Sequence, residues 1–90
     1  MAKLLSVVED VFQISDRGSV VVVPGIPREG DWYVKTGDPL TLKLPDGTEA
    51  STVVRGIEMA SPPHPRFIPI LLGLGLTKND VPIGTEIWVN

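Results

Sequence analysis

The chain has no cysteine, a single histidine, and aromatic residues at only 6% of its positions. Without thiols, a disulfide framework and thiolate chemistry are excluded, and a reducing compartment is the natural setting. The one histidine, His64, sits among Pro62, Pro63 and Pro65 with no second histidine or cysteine to complete a metal site, so no metal or other cofactor is expected. Long hydrophobic runs are also missing. Phe67 to Leu76 comes nearest, but Pro69, Gly73 and Gly75 break it, and it falls short of the roughly 18 apolar residues of a membrane helix. Met1-Ala2-Lys3-Leu4-Leu5 lacks the apolar core and small-residue cleavage site of a secretory signal. The expectation is a cytoplasmic protein with no membrane contact.

Positive charge is scarce as well. The net charge is −3, and the basic residues are scattered with no basic stripe. Affinity for DNA or RNA comes mainly from neutralising phosphates, so this balance weighs against a general nucleic-acid binder and against DNA. The 90 residues are 42% hydrophobic and 21% charged, a composition that folds, and the length suits one domain over 1–90 with a core from about 5 to 89.

Glycine and proline, by contrast, are plentiful at nine each. They cut the chain into pieces too short for an amphipathic helix, and the β-branched residues gather in short runs, as strands prefer. Leu5 to Ile14 reads as a first strand in which Val8, Asp10, Phe12 and Ile14 share one parity, so that Phe12 and Ile14 face the core. Asp16-Arg17-Gly18 is turn chemistry, and Ser19 to Val23 is a continuous apolar strand. Pro24 to Asp31 reads as a loop and Trp32 to Val34 as a short strand. Leu40, Leu42 and Leu44 alternate with polar residues as a half-buried strand. Pro45-Asp46-Gly47-Thr48 is a β-turn leading to a return strand from Glu49 to Met59, with Val53 or Val54, Ile57 and Met59 as core candidates. Phe67 to Leu72 is another strand, confined by Pro69 to a bulge or an edge. Lys78 to Gly84 turns the chain, and Thr85 to Val89 closes the sheet. About six strands at this spacing predict an all-β, antiparallel closed barrel.

Four of these segments together resemble the second domain of elongation factor Tu and related translational GTPases. They are Val8 to Val23, Gly56-Ile57-Glu58-Met59, Leu71-Leu72-Gly73 and Asp80-Val81-Pro82-Ile83-Gly84, in family order at nearly the family spacing. The resemblance extends from about Leu5 to Val89. It implies a six- to seven-stranded antiparallel closed barrel of the translation-protein type, present as a stand-alone domain. In the family this domain holds the aminoacylated end of tRNA and touches ribosomal RNA. Carried over, the resemblance implies an amino-acid pocket at Glu9, Asp10 and Phe12. It implies an adenosine slot at Ile14, Val20 and Leu71, with Glu58 accepting a ribose hydroxyl.

The chain departs from the family where RNA chemistry would be carried. Asp16 replaces the first glycine of a Gly-Arg-Gly turn, Val22-Val23-Pro24 stands in place of Thr-Gly-Arg, and Leu71-Leu72-Gly73-Leu74-Gly75 in place of Leu-Leu-Arg-Gly. Two cations are lost and an anion is gained. No Gly-x-x-x-x-Gly-Lys-(Ser or Thr) segment is present, so GTP binding is not expected. Glu9 and Asp10, adjacent on a strand, point to opposite faces and cannot act as a catalytic pair. No nucleophile, base or metal constellation emerges, and the chain is read as non-enzymatic. Arg17, Trp32 and Tyr33, beside turns and loops, are candidates for an interaction surface. The sequence thus favours a binding module for a protein partner. The alternatives are a tRNA acceptor end or ribosomal RNA, and a structural subunit of a larger assembly.

Overall fold

The computed structural model describes residues 3–14, 19–27, 34–57, 66–73 and 75–89. Among the described residues seven strands follow one another: β1 (Lys3–Val7), β2 (Asp10–Ile14), β3 (Ser19–Pro27), β4 (Pro39–Lys43), β5 (Glu49–Ile57), β6 (Phe67–Leu72) and β7 (Glu86–Val89). A single 3-10 turn at Lys78–Asp80 interrupts the all-β pattern among the described residues. Every ladder is antiparallel, in the order β1-β7-β4-β5-β6-β3-β2, and the sheet curls into an open half-barrel.

The concave face is the core. Alternation places Leu40 and Leu42 of β4, Ile87 of β7, Val54 of β5, Ile70 and Leu72 of β6, and Val20 and Val22 of β3 on that face, all fully buried. Burying an aliphatic side chain of this size stabilises by about 1.5–3 kcal/mol, so these residues carry most of the fold's favourable free energy. Val54, not Val53, is the core member of its pair; Val53 is 44% exposed. Met59, and the expected strand residues Trp32 and Tyr33, lie outside the described residues.

The turn between β4 and β5 follows its sequence chemistry. Gly47 adopts φ +92°, and the Asp46 carboxylate accepts the Thr48 N–H at 2.9 Å and the Thr48 hydroxyl at 2.6 Å. Those two bonds, the hydroxyl's first, hold the Asp46 carboxyl below its ordinary value of 3.8.

Two features differ from the sequence expectation. The first long strand is broken at Val8 and Glu9. Val8 bonds the 84–85 turn through its N–H to the Thr85 carbonyl and its C=O to the Gly84 N–H, both 2.8 Å, whereas the Glu9 N–H bonds the Val23 carbonyl at 2.8 Å. The chain switches ladder partner there, and the inward alternation shifts: Val8 and Val11, three apart, are both buried. Phe12 therefore faces outward, 50% exposed, and does not enter the core; Ile14, two residues on, shares its face and is half-buried.

Secondly, Pro24 to Pro27 is not a loop. β3 continues through it, with Ile26 opposite Ile68 and Pro27 opposite Phe67 after a register shift beyond Val22. The Val23–Pro24 peptide is cis and Gly25 has φ +79°. Pro69 falls at a bulge, one of the two places expected for it, and β6 is central, between β5 and β3. The register places Pro69 opposite that same shift, where a missing N–H leaves no ladder bond broken.

Candidate functional site

Residues paired across antiparallel strands share a face, and the ladders define one outward row: Phe12 on β2, Val21 on β3, Leu71 on β6 and Gly56 on β5. Asp10 and Val23, paired across the ladder, and Ile14 flank it on the same face. Leu71 is only 3% exposed although it points outward. Gly56 beside it has no side chain, and a Cβ built there would meet Leu71 Cδ2 at 3.7 Å, an ordinary van der Waals contact. The row grades from exposed Phe12 to covered Leu71.

Of the residues expected at a pocket, the fold thus gathers Asp10, Phe12, Ile14 and Leu71 on one face. It separates the other two that it describes. Val20 is fully buried on the concave side, and Glu9 sits at the β1–β2 junction over a different concavity. Asp10 borders a smaller hollow with Lys78, Asn79 and Ile83, so the two adjacent acids open onto separate spaces. Glu58, Arg17, Trp32 and Tyr33 lie outside the described residues.

One concavity was not legible in the sequence. A groove of about 820 Å³ runs between β1 and β3, with Leu5, Ser6 and Val7 on one wall and Pro24, Pro27 and Phe67 on the other. Glu9 and Arg66, both exposed, border it as well. Reading Pro24 to Pro27 as a loop hid this wall. The available signal was the spacing of the two prolines directly after an apolar strand.

Ser6 is the polar oddity of this groove. It pairs with the buried Ile87, next to a bulge at Leu5, and its Oγ is buried with no hydrogen-bond partner among the described residues. Thr85, the other buried hydroxyl nearby, donates to the Pro82 carbonyl at 2.6 Å. On the opposite side of the molecule's first strand pair, Trp88 donates Nε1–H to Glu86 at 2.9 Å and pairs with Leu4. Among the described residues, no three histidine, aspartate or glutamate side chains converge as metal ligands would. No family model, no curated protein and no solved structure matches the chain.

Proposed function

We propose that the chain is a non-catalytic binding module that presents the outward face of β2, β3 and β6 to a protein partner. The observation carrying this reading is Phe12, an aromatic ring half open to solvent at the head of the row through Val21 to Leu71. A rigid aromatic on a sheet offers large contact area with little rotamer entropy to lose, which is what interface anchors need. Asp10 beside it and the net charge of −3 favour a protein surface over a phosphate backbone.

The reading extends to the barrel type. The two end strands of the sheet order, β1 and β2, are separated in the chain only by Val8 and Glu9, which bond to opposite ends of the sheet. We take this junction to close the half-barrel into a barrel of the translation-protein type. The common face of Asp10, Phe12, Ile14 and Leu71 supports the resemblance to the second domain of elongation factor Tu, while the buried Val20 counts against an inherited adenosine slot.

The test compares the protein with its Phe12→Ala variant. A partner protein retained at fixed stoichiometry by the first and lost by the second supports the reading. A salt-sensitive complex with aminoacyl-tRNA, abolished by the same substitution, would replace protein by RNA as the ligand. Equal retention by both proteins removes this face as the site.

A further inference from the structure

We infer that the chain pairs with a second copy of itself through the open edge of β5, the two strands running antiparallel about a two-fold axis at Ala50. This surface is separate from the Phe12 row and does not depend on it.

The first ground is a half-paired strand. β4 pairs with β5 from Glu49 to Val53, and β6 joins the other side of β5 from Val54 to Ile57. Among the described residues, Glu49 to Val53 therefore has a ladder partner on the β4 side alone. Hydrogen bonds at both ends of this ladder settle which backbone groups face outward. Leu44 donates to the Thr48 carbonyl at 2.8 Å and Val54 to the Asp38 carbonyl at 2.9 Å, so the even-numbered residues of β5 bond to β4. Alternation then turns the N–H and C=O of Glu49 and Ser51 away from β4, toward the side without a strand. The chain beyond β6 meets this edge at Gly73, whose Cβ position lies 3.1 Å from Thr52 Oγ1 and 3.5 Å from the Val53 carbonyl oxygen. Glu49, Ala50 and Ser51 are all exposed, Ala50 even though it pairs with the buried Leu42.

The second ground is that the edge is unprotected. Sheet edges are ordinarily blunted by proline, by a bulge or by charge. Glu49 to Val53 contains no proline, and its register with β4 is unbroken. Its one charged residue, Glu49, stands directly across from Lys43 on β4.

The third ground selects the occupant. An antiparallel pair centred on Ala50 sets Glu49 of each copy opposite Ser51 of the other. Four N–H···O=C bonds form, and they use every outward backbone group of both residues. No like charges stand directly opposite, and each Glu49 keeps Lys43 of its own copy beside it. A second copy arrives with this strand already held extended by β4, whereas a free peptide must be ordered on binding. The ladder is short and buries well below the roughly 800 Å² per partner of a stable dimer. The association is accordingly weak, with a dissociation constant on the order of 0.1–1 mM.

The experiment is sedimentation equilibrium of the full chain from about 20 μM to about 3 mM, with amide spectra over the same range. A monomer–dimer equilibrium is expected, with concentration-dependent shifts and slowed hydrogen exchange at the Glu49 and Ser51 amides. Ser51→Pro removes an outward N–H that the β4 ladder does not use, and should weaken the dimer at least about tenfold. Two further variants test the register without altering the backbone. Ser51→Glu places like charges opposite one another and weakens the dimer about threefold or more, whereas Ser51→Lys meets Glu49 of the second copy and strengthens it by a similar factor. The proposal is overturned by a chain still monomeric at about 3 mM, by undiminished dimerisation of Ser51→Pro, or by equal effects of Ser51→Glu and Ser51→Lys. Shifts confined to Phe12, Val21 and Leu71 overturn it too, as do Glu49 and Ser51 amides already protected in the dilute monomer. If acetyl-Glu-Ala-Ser-Thr-Val-amide shifts those two amides while the chain stays monomeric, the edge takes a peptide and the second-copy assignment fails. Phe12→Ala should leave the dimer unchanged, so this reading and the Phe12 reading can each fail alone.

Discussion

Gly25 lies directly against Ile68: a Cβ at Gly25 would collide with the Ile68 carbonyl oxygen and come within 3.0 Å of Pro69 Cα. The obstacle is backbone, which cannot rotate away, and φ at Gly25 is +79° in addition. Gly25→Ala is expected to destabilise by about 3 kcal/mol, lowering the melting temperature by more than about 10 °C. Gly47, with φ +92° but nothing within 4 Å of its Cβ position, supplies the contrast. Gly47→Ala should cost about 1 kcal/mol. Thermal unfolding of both variants checks this, and equal losses would remove the close approach of β3 to β6.

Ser6→Ala should stabilise the protein. A buried hydroxyl without a partner carries its desolvation penalty and returns nothing, so its removal gains about 1 kcal/mol. Thr85→Ala, which removes a satisfied buried hydroxyl, moves the other way by a similar amount. Denaturant midpoints at unchanged slope decide between them; a destabilised Ser6→Ala would mean that the hydroxyl is bonded.

Phe12→Ala should leave the fold nearly intact, at a cost of about 1 kcal/mol, because half of the ring is already in water. Ile70→Ala, in the next cross-strand row of the same ladder but on the concave side, should cost about 3 kcal/mol. A comparable loss for the two would return Phe12 to the core.

Asp46 links the β4–β5 turn to pH. Its carboxyl is held below 3.8 in the folded chain by the Thr48 hydroxyl and N–H. A depressed folded-state value means that the turn's contribution is complete above the ordinary aspartate range and is lost as pH falls through the folded-state value. Carboxyl titration by NMR should show Asp46 below an ordinary aspartate, and Thr48→Val should move it back toward 3.8. No change on that substitution would show that the hydroxyl is not the cause.

Strand identity was largely readable from local chemistry. The alternation of Leu40 and Leu42, the Asp46-Gly47 turn, and the apolar runs at Ser19 to Val23 and Phe67 to Leu72 all formed the expected elements. Each depends on propensity and spacing over a few residues. Period two carried through Val8 and Glu9 puts Phe12 on the wrong face, because the chain changes ladder partner there. That switch depends on β7 and on Val23, both distant in sequence. The groove escaped for a related reason: Pro24 to Pro27 can stay in a strand only because β6 approaches Gly25 and places Pro69 opposite the irregularity.

The lack of cysteine, the wealth of glycine and proline and the β-branched runs by themselves determined an all-β chain built from short strands without disulfides. Local sterics and turn chemistry act within a few residues, so a linear reading reaches them. Which side of β2 is wet, where β3 turns from β1, and which hydroxyl is left unpartnered were decided only by the tertiary structure. Those outcomes follow from ladder register between segments tens of residues apart, and a shift of one residue at Glu9 is enough to exchange the two faces.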